Sequence, residues 1–475
     1  MDYKTIYTSD SNEFLNKFGE YEFDIIFADP PYALGSEVII RKDGKVDYAK
    51  ASDFMNKWEM PTGEYWEKWF INAYRTLKYG GWLIMYGMDR QTLLFKYYAS
   101  LAGFDEQQSL YWYFISNFPK ATDLSKMIDK NAGVEREVVG TKEQSGAKFK
   151  LTQEIMDNGG FNDPNRENFD ITAPKTELAK KYDGYKYSVA PLKQTCETIM
   201  VFKKPTKTGS VLHDTLAFEN GDTTITVSAL NIDGNRVEAN DDLAKNWNRK
   251  SSVSMIKDDK TTYGKYNVVD LNEYAPSGRY PAQTYIDNGI ANALDLQSGI
   301  NKSGNGAVGG GEGGIWSKGN SKQVSDGYDD IGGCSKILHK VQYEKHEHDI
   351  FIYEPKVNEG ERNNGLSGFD EKQYSHDGRT KPIENAYQRN NSVAKNNHPT
   401  LKPIDLNAKV LKLFKTPNDQ KICFPFAGSG SEILGGLQAG FSQWVACEIN
   451  QDYVDIANAR IKHYTQNEYV QLELF

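Results

Sequence analysis

The chain is short of cysteine, has no long apolar run and carries no excess of positive charge. Its 475 residues include four cysteines, Cys196, Cys334, Cys423 and Cys447, scattered without CxxC spacing. That pattern speaks against a disulfide framework or a thiolate zinc site and fits buried thiols in a reducing, cytoplasmic setting. No run of about 18 apolar residues occurs, so no membrane span is expected. The opening stretch lacks the apolar core of a secretory leader. The formal net charge of -9 rules out a surface that is basic throughout. A local basic face is still enough to bind nucleic acid. There is no GxSxG and no P-loop lysine, which leaves hydrolase and NTPase chemistry unsupported. His346, Glu347 and His348 alternate too tightly for HExxH, and a polar strand is expected there, with no metal site.

What is present is an α/β rhythm at both ends of the chain. Phe23–Ala28 is a short apolar run suited to a strand covered on both faces. From Gly63 to Tyr79 the residues Trp66, Trp69, Phe70, Ala73 and Leu77 recur at helical spacing, and Gly80-Gly81 is expected to stop that helix. Strand Trp82–Tyr86, a helix over 89–102 and strands near 108–115 and 198–203 follow. After Pro403 the rhythm returns: a helix over 404–414, strand Lys421–Phe426, a glycine-rich turn, a helix through Leu437, strand Trp444–Cys447 and a final helix over 451–463. Between about 205 and 395 the rhythm fails. Polar segments dominate, Gly304–Gly314 reads as a flexible loop, and short β-like pieces (Thr223–Val227, Val341–Tyr343, Asp349–Tyr353) stand between turns. The expected division is residues 1–204, an insert at 205–395, and residues 396–475. Neither flank has strands enough for a full sheet, so the two should join into one.

The strongest local signal is Asp29-Pro30-Pro31-Tyr32, directly after a buried strand, at the sheet edge where ligands bind. Two prolines fix the backbone and remove two N–H donors, leaving carbonyls as acceptors. An exocyclic amino nitrogen of a base is a poor nucleophile because its lone pair is delocalised into the ring. A carboxylate and a fixed carbonyl, each accepting one N–H bond, favour its more nucleophilic form. Tyr32 offers a face for stacking a base, worth about 1–3 kcal/mol. A proline-stiffened turn with a buried tyrosine is the plainer reading. The second signal, Phe424 to Ser431, has glycines between a strand and a helix, where backbone can approach a ligand closely; alone it could be only a tight turn. Glu448 ends the next strand, where an acidic residue can hold ribose hydroxyls or simply face solvent. Asp10 ends a short strand and either accepts from an amino group or caps the following helix.

Together these motifs resemble the permuted β-type DNA amino-methyltransferases of phages and restriction-modification systems. Asp29-Pro30-Pro31-Tyr32 is similar to the family's catalytic tetrapeptide, and Phe426-Ala427-Gly428-Ser429-Gly430 to its FxGxG cofactor loop. His398-Pro399-Thr400-Leu401-Lys402-Pro403 resembles the segment just upstream of that loop, and Leu77–Gly81 the LKPGG turn. Asn117–Lys120, Asp123–Lys126, Ile128–Lys130, the block Asn231–Gly234 with Arg236, and Gly278–Ala282 are similar to phage-methylase segments.

The resemblance implies a Rossmann-like sheet of seven strands flanked by helices, S-adenosylmethionine as cofactor and double-stranded DNA as partner; it leaves a homodimer open. It assigns catalysis to Asp29, Pro30, Pro31 and Tyr32. Cofactor binding falls to Asp10, Asp29, His398, Thr400, Lys402, Phe426, Ala427, Gly428, Ser429, Gly430 and Glu448, with Phe426 against the adenine. It implies adenine N6 as the target, since Asp in the first motif position accompanies adenine more often and Ser accompanies cytosine N4. Arg41, Lys42 and Lys45 either close over DNA or lie on a solvated loop. One departure stands out: the family usually has Asp where this chain has Phe424, near the methionine part of the cofactor. Ala446 and Cys447, where Gly and Ile are common, are milder changes.

Overall fold

The computed structural model describes residues 1–31, 38–40, 46–48, 62–114, 121–142, 169–188, 191–237, 278–299, 301–302, 331–341, 357, 359–374, 392–398 and 400–472. Tyr32, Arg41, Lys42, Lys45, Asn117–Lys120, Gly304–Gly314, His346–His348, Asp349–Tyr353 and Pro399 lie outside them.

Ten strands form one sheet: β1 (Thr5–Thr8), β2 (Phe23–Ala28), β3 (Leu77–Gly87), β4 (Asp105–Glu106), β5 (Leu110–Tyr113), β6 (Cys196–Lys203), β7 (Thr284–Asp287), β8 (His339–Val341), β9 (Lys421–Phe424) and β10 (Gln443–Glu448). Their order is β1-β10-β9-β2-β3-β6-β5-β7-β8, with β4 pairing β6. The first seven strands of that path come from both chain ends, as the incomplete flanks required. Pairing is parallel from β1 to β3, antiparallel on both sides of β6, and parallel again from β5 to β8. Beyond the seven, β7 and β8 of the central segment continue the sheet. They are four and three residues long, too short for a periodicity signal.

Alternation along the strands sorts the helices into two layers. Ile26, Ala28, Leu83 and Met85 face α1 (Ser11–Asn16), α2 (Gly63–Thr76) and α3 (Asp89–Ala102), whose Phe14, Leu15, Trp66, Trp69, Phe70 and Phe95 are buried there. Ile25, Phe27, Ile84 and Tyr86 face α4 (Ile404–Phe414), α5 (Ser431–Gln438) and α6 (Gln451–Leu472). No described helix is long and apolar enough to cross a membrane.

One boundary differs from the sequence reading. The helix ends at Thr76, and Gly80-Gly81 lie inside the eleven-residue β3. The buried Lys204 ammonium donates to the carbonyls of Tyr74 and Leu77, both at 2.8 Å, and so satisfies helix-end acceptors without a glycine cap. Gly80 has a φ of 75°, and a Cβ there would meet Thr226 O at 2.9 Å. Its glycine serves close approach of the 224–226 segment, which brackets Tyr79 through two backbone bonds of 3.0 Å.

Candidate active site

The parallel strands β1, β10, β9, β2 and β3 end along one edge of the sheet, and the residues after them meet there. Asp29 follows β2 and is held by Lys402, whose ammonium donates to its two carboxylate oxygens at 2.9 and 2.7 Å. Lys402 is only 2 % exposed. Its nitrogen also stands 3.6 Å from Glu197 of β6 and 4.7 Å from the ring centre of Tyr86. Burial works against this charge, but the Asp29 and Glu197 carboxylates outweigh it and hold the Lys402 pKa above its ordinary value. Tyr86 in turn donates to Asn407 of α4 at 2.7 Å. The loop carrying the prolines is held from α3, where Gln91 Nε2 donates to the Pro31 carbonyl at 3.0 Å.

The glycine loop lies next to this group. β9 stops at Phe424, two residues short of the expected end, and the chain turns through Gly428 and Gly430 at φ of 47° and 88°. Gly428 N–H donates to Glu448 Oε2 at 2.9 Å, and Asn450 N–H to Glu448 Oε1 at 3.0 Å. Burial raises the Glu448 pKa, partly offset by these donors. His398 packs on the loop so closely that a Cβ on Gly428 would lie 2.9 Å from its Nε2. Its Nδ1 is 2.6 Å from the Thr400 carbonyl. A carbonyl can only accept, so Nδ1 carries the hydrogen and Nε2 turns a lone pair to the loop. Burial, with the cations Arg362, Lys402 and Arg460 nearby, pushes the His398 pKa down to about 3, so the ring is neutral.

At the far end of the edge, Asp10 is both things its sequence context allowed. Its Oδ1 caps α1, accepting from Asn12 and Glu13 N–H at 2.8 and 3.2 Å, while Oδ2 accepts from the Tyr65 hydroxyl at 3.0 Å. It sits beside Glu448 because β1 and β10 pair Thr8 with Glu448. Phe426 leans on Trp69 and Trp66, with ring centres 5.6 and 6.1 Å away. The Trp66 indole nitrogen, fully buried, has no protein partner.

So the structure brings Asp29, Pro30, Pro31, His398, Thr400, Lys402 and Ala427 to Gly430 together, with Asp10, Phe426 and Glu448 further along the same edge. Several residues here escape motif reading. Asn396 donates to Ser429 Oγ at 3.0 Å, and Arg362 donates to the carbonyls of Asn396 and His398 at 3.0 and 2.8 Å. Arg460 of α6 donates to Ser429 O at 2.7 Å and Ser431 Oγ at 3.1 Å. A signal existed for some. Glu197 interrupts an apolar strand, and Arg460 falls on the same helical stripe as Tyr453, Ile456 and Ala457.

No curated protein matches the chain. Among solved structures it is similar to the M1.HpyAVI–SAM complex (11 % identity, TM-score 0.33, covering 96 % of this chain and 98 % of that one). It is similar to TTHA0409, a DNA modification methylase from Thermus thermophilus (10 %, TM-score 0.33, 97 % and 94 %). It is also similar to PvuII DNA methyltransferase, cytosine-N4-specific (11 %, TM-score 0.37, 98 % and 93 %). A sequence model of the N6/N4 DNA methylase family matches residues 23–459, nearly the whole length, and the chain belongs to that family.

Proposed function

We propose that this protein is a site-specific methyltransferase that places a methyl group on adenine N6 of a base turned out of duplex DNA. The family acts on DNA and uses S-adenosylmethionine. When bound, that cofactor supplies a sulfonium methyl, the electrophile an amino nitrogen needs. The chain's own groups fit it. A half-buried aromatic shelf with an unpartnered indole N–H, a glycine turn too tight for side chains and two carboxylates at strand ends suit an adenosine with a methionine tail. Asp10 and Glu448 hold the adenosine, Phe426 packs on its adenine, and Ala427 to Gly430 with His398 and Thr400 surround the tail.

Asp29 carries the reading. Lys402 keeps its carboxylate ionised and oriented, and carboxylate oxygens have about four acceptor positions, so sites remain for an amino N–H. Pro30 offers a second acceptor on a fixed backbone. Turning the base out is required because a paired, stacked amino group cannot be reached. Tyr32 stacks on it, and residues 205–395 read the duplex, with 1–204 and 396–475 forming the catalytic body. Within that central segment Arg236 and Arg279 are drawn together, Val237 bridging Arg279 and Arg236 donating to Gly278 O at 3.1 Å.

The test is transfer of radiolabelled methyl from S-adenosylmethionine to unmethylated duplex DNA, followed by nucleoside mass spectrometry. N6-methyladenine that vanishes in Asp29→Ala is the expected result. N4-methylcytosine would shift the target, and no transfer with no cofactor binding would make Phe424 the mark of a retired site.

A further inference from the structure

Glu432 belongs to none of the roles above. It is the second residue of α5, directly after the glycine turn, and only 5 % exposed. A glutamate in the first turn of a helix is ordinarily solvated and favours the helix dipole; this one is turned into the protein. Asp29 acts on it from the loop after β2, Lys402 from the segment before α4, and Arg460 from α6. Tyr86 of β3 feels it as well. The cations are already engaged: Lys402 with Asp29 and Glu197, Arg460 with Ser429, Ser431 and the Glu361 carbonyl. Packed on α5 from α4 is the neutral Asn407, fully buried, whose oxygen accepts from Tyr86 and whose amide nitrogen has no protein partner.

Three carboxyl groups therefore share one ammonium in a buried space. Burial first and the Asp29 charge second push the Glu432 pKa up to about 8, so at neutral pH it keeps its proton. The chain meanwhile has no carboxylate at position 424. Phe424 is 1 % exposed, lies 6.2 Å from Phe27 and fills the space where a Cβ on Gly436 would meet it at 2.8 Å. The carboxyl group on this side of the glycine turn is that of Glu432.

We propose that Glu432 is the group that answers the sulfonium charge of the methyl donor, holding a proton while that charge is absent and ionising when it arrives beside Asp29. The O–H bond of the carboxyl breaks, the electron pair stays on oxygen and the proton leaves to solvent. The inference rests on the cofactor reading above and goes beyond it, because it ties affinity to pH through one named residue.

Calorimetric titration of the full chain with S-adenosylmethionine, in two buffers of different ionisation enthalpy, counts the protons released. At pH 7 the wild type should release close to one proton more than Glu432→Gln. Between pH 6.5 and 8 wild-type affinity should tighten roughly tenfold while the variant stays nearly flat, as linkage to a lowered pKa requires. S-adenosylhomocysteine, which lacks the sulfonium charge, gives a comparison that needs no variant: its binding should release less. Equal proton counts in wild type and variant, or for the two ligands in wild type, would overturn the proposal and leave the cofactor reading standing. No binding of S-adenosylmethionine by the wild type would overturn both.

Discussion

At the scale of single residues, Lys402 is the hinge of the site's electrostatics. Removing one member of a buried ion pair leaves an uncompensated charge, which costs about 3–5 kcal/mol. Lys402→Met should therefore lower stability in a denaturant titration by that order and abolish methyl transfer, since Asp29 and Glu197 would be left facing each other. A stable Lys402→Met protein with normal turnover would remove Lys402 from the site. His398 gives a pH signature. Its folded pKa lies near 3, below the ordinary value of 6.5, so its contribution is complete above about pH 6.5 and is lost as pH falls through 3. His398→Gln should flatten the fall in thermal midpoint between pH 6.5 and 4; an unchanged slope would place that fall elsewhere. Asp29, the glycines and Glu448 were legible because each is a residue type with few uses at a strand end. Asn396, Arg362 and Arg460 were not, because each serves the site by bonding a distant loop, and nothing local in the sequence marks that partner.

At the scale of elements, α2 shows where periodicity misleads. Leu77 continues the helical stripe of Trp66, Trp69, Phe70 and Ala73, yet it begins a strand, because Lys204 from β6's far end takes the last carbonyls of the helix. Tyr21, Tyr74 and Tyr79 place their rings 4.5, 4.5 and 5.0 Å from that ammonium. Lys204→Met should cost about 2–4 kcal/mol, from two bonds to a charged donor, read as a lower urea midpoint. A shift under half a unit of that scale would mean water replaces the ammonium. Helix α3 reaches the chemistry through one side chain: Gln91→Ala frees the Pro31 carbonyl, and kcat should fall about tenfold with little change in cofactor affinity, a split that steady-state kinetics resolves. Loss of affinity alone would assign Gln91 to binding instead.

At the scale of the whole molecule, the sheet is closed by strands from opposite ends of the chain. Asp24 of β2 accepts from Lys421 N–H of β9 at 2.7 Å and from Lys78 at 2.9 Å, a buried clasp between the two. The joining of both flanks could be inferred from their incompleteness. The extension by β7 and β8 could not, since so few residues carry it. Deleting residues 396–475 should leave β1 and β2 without their neighbours and yield insoluble protein; a soluble, cooperatively unfolding fragment would contradict the sheet order.

That order also sets a timetable. The strand that completes β2 begins at Lys421, while β2 ends at Ala28. During synthesis at about 5–20 residues per second, the catalytic loop waits roughly 20 to 80 s for the strand and glycine turn beside it. A ribosome that stalls anywhere in the interval releases a chain holding Asp29 but no place for the methyl donor, so unfinished copies cannot mark DNA.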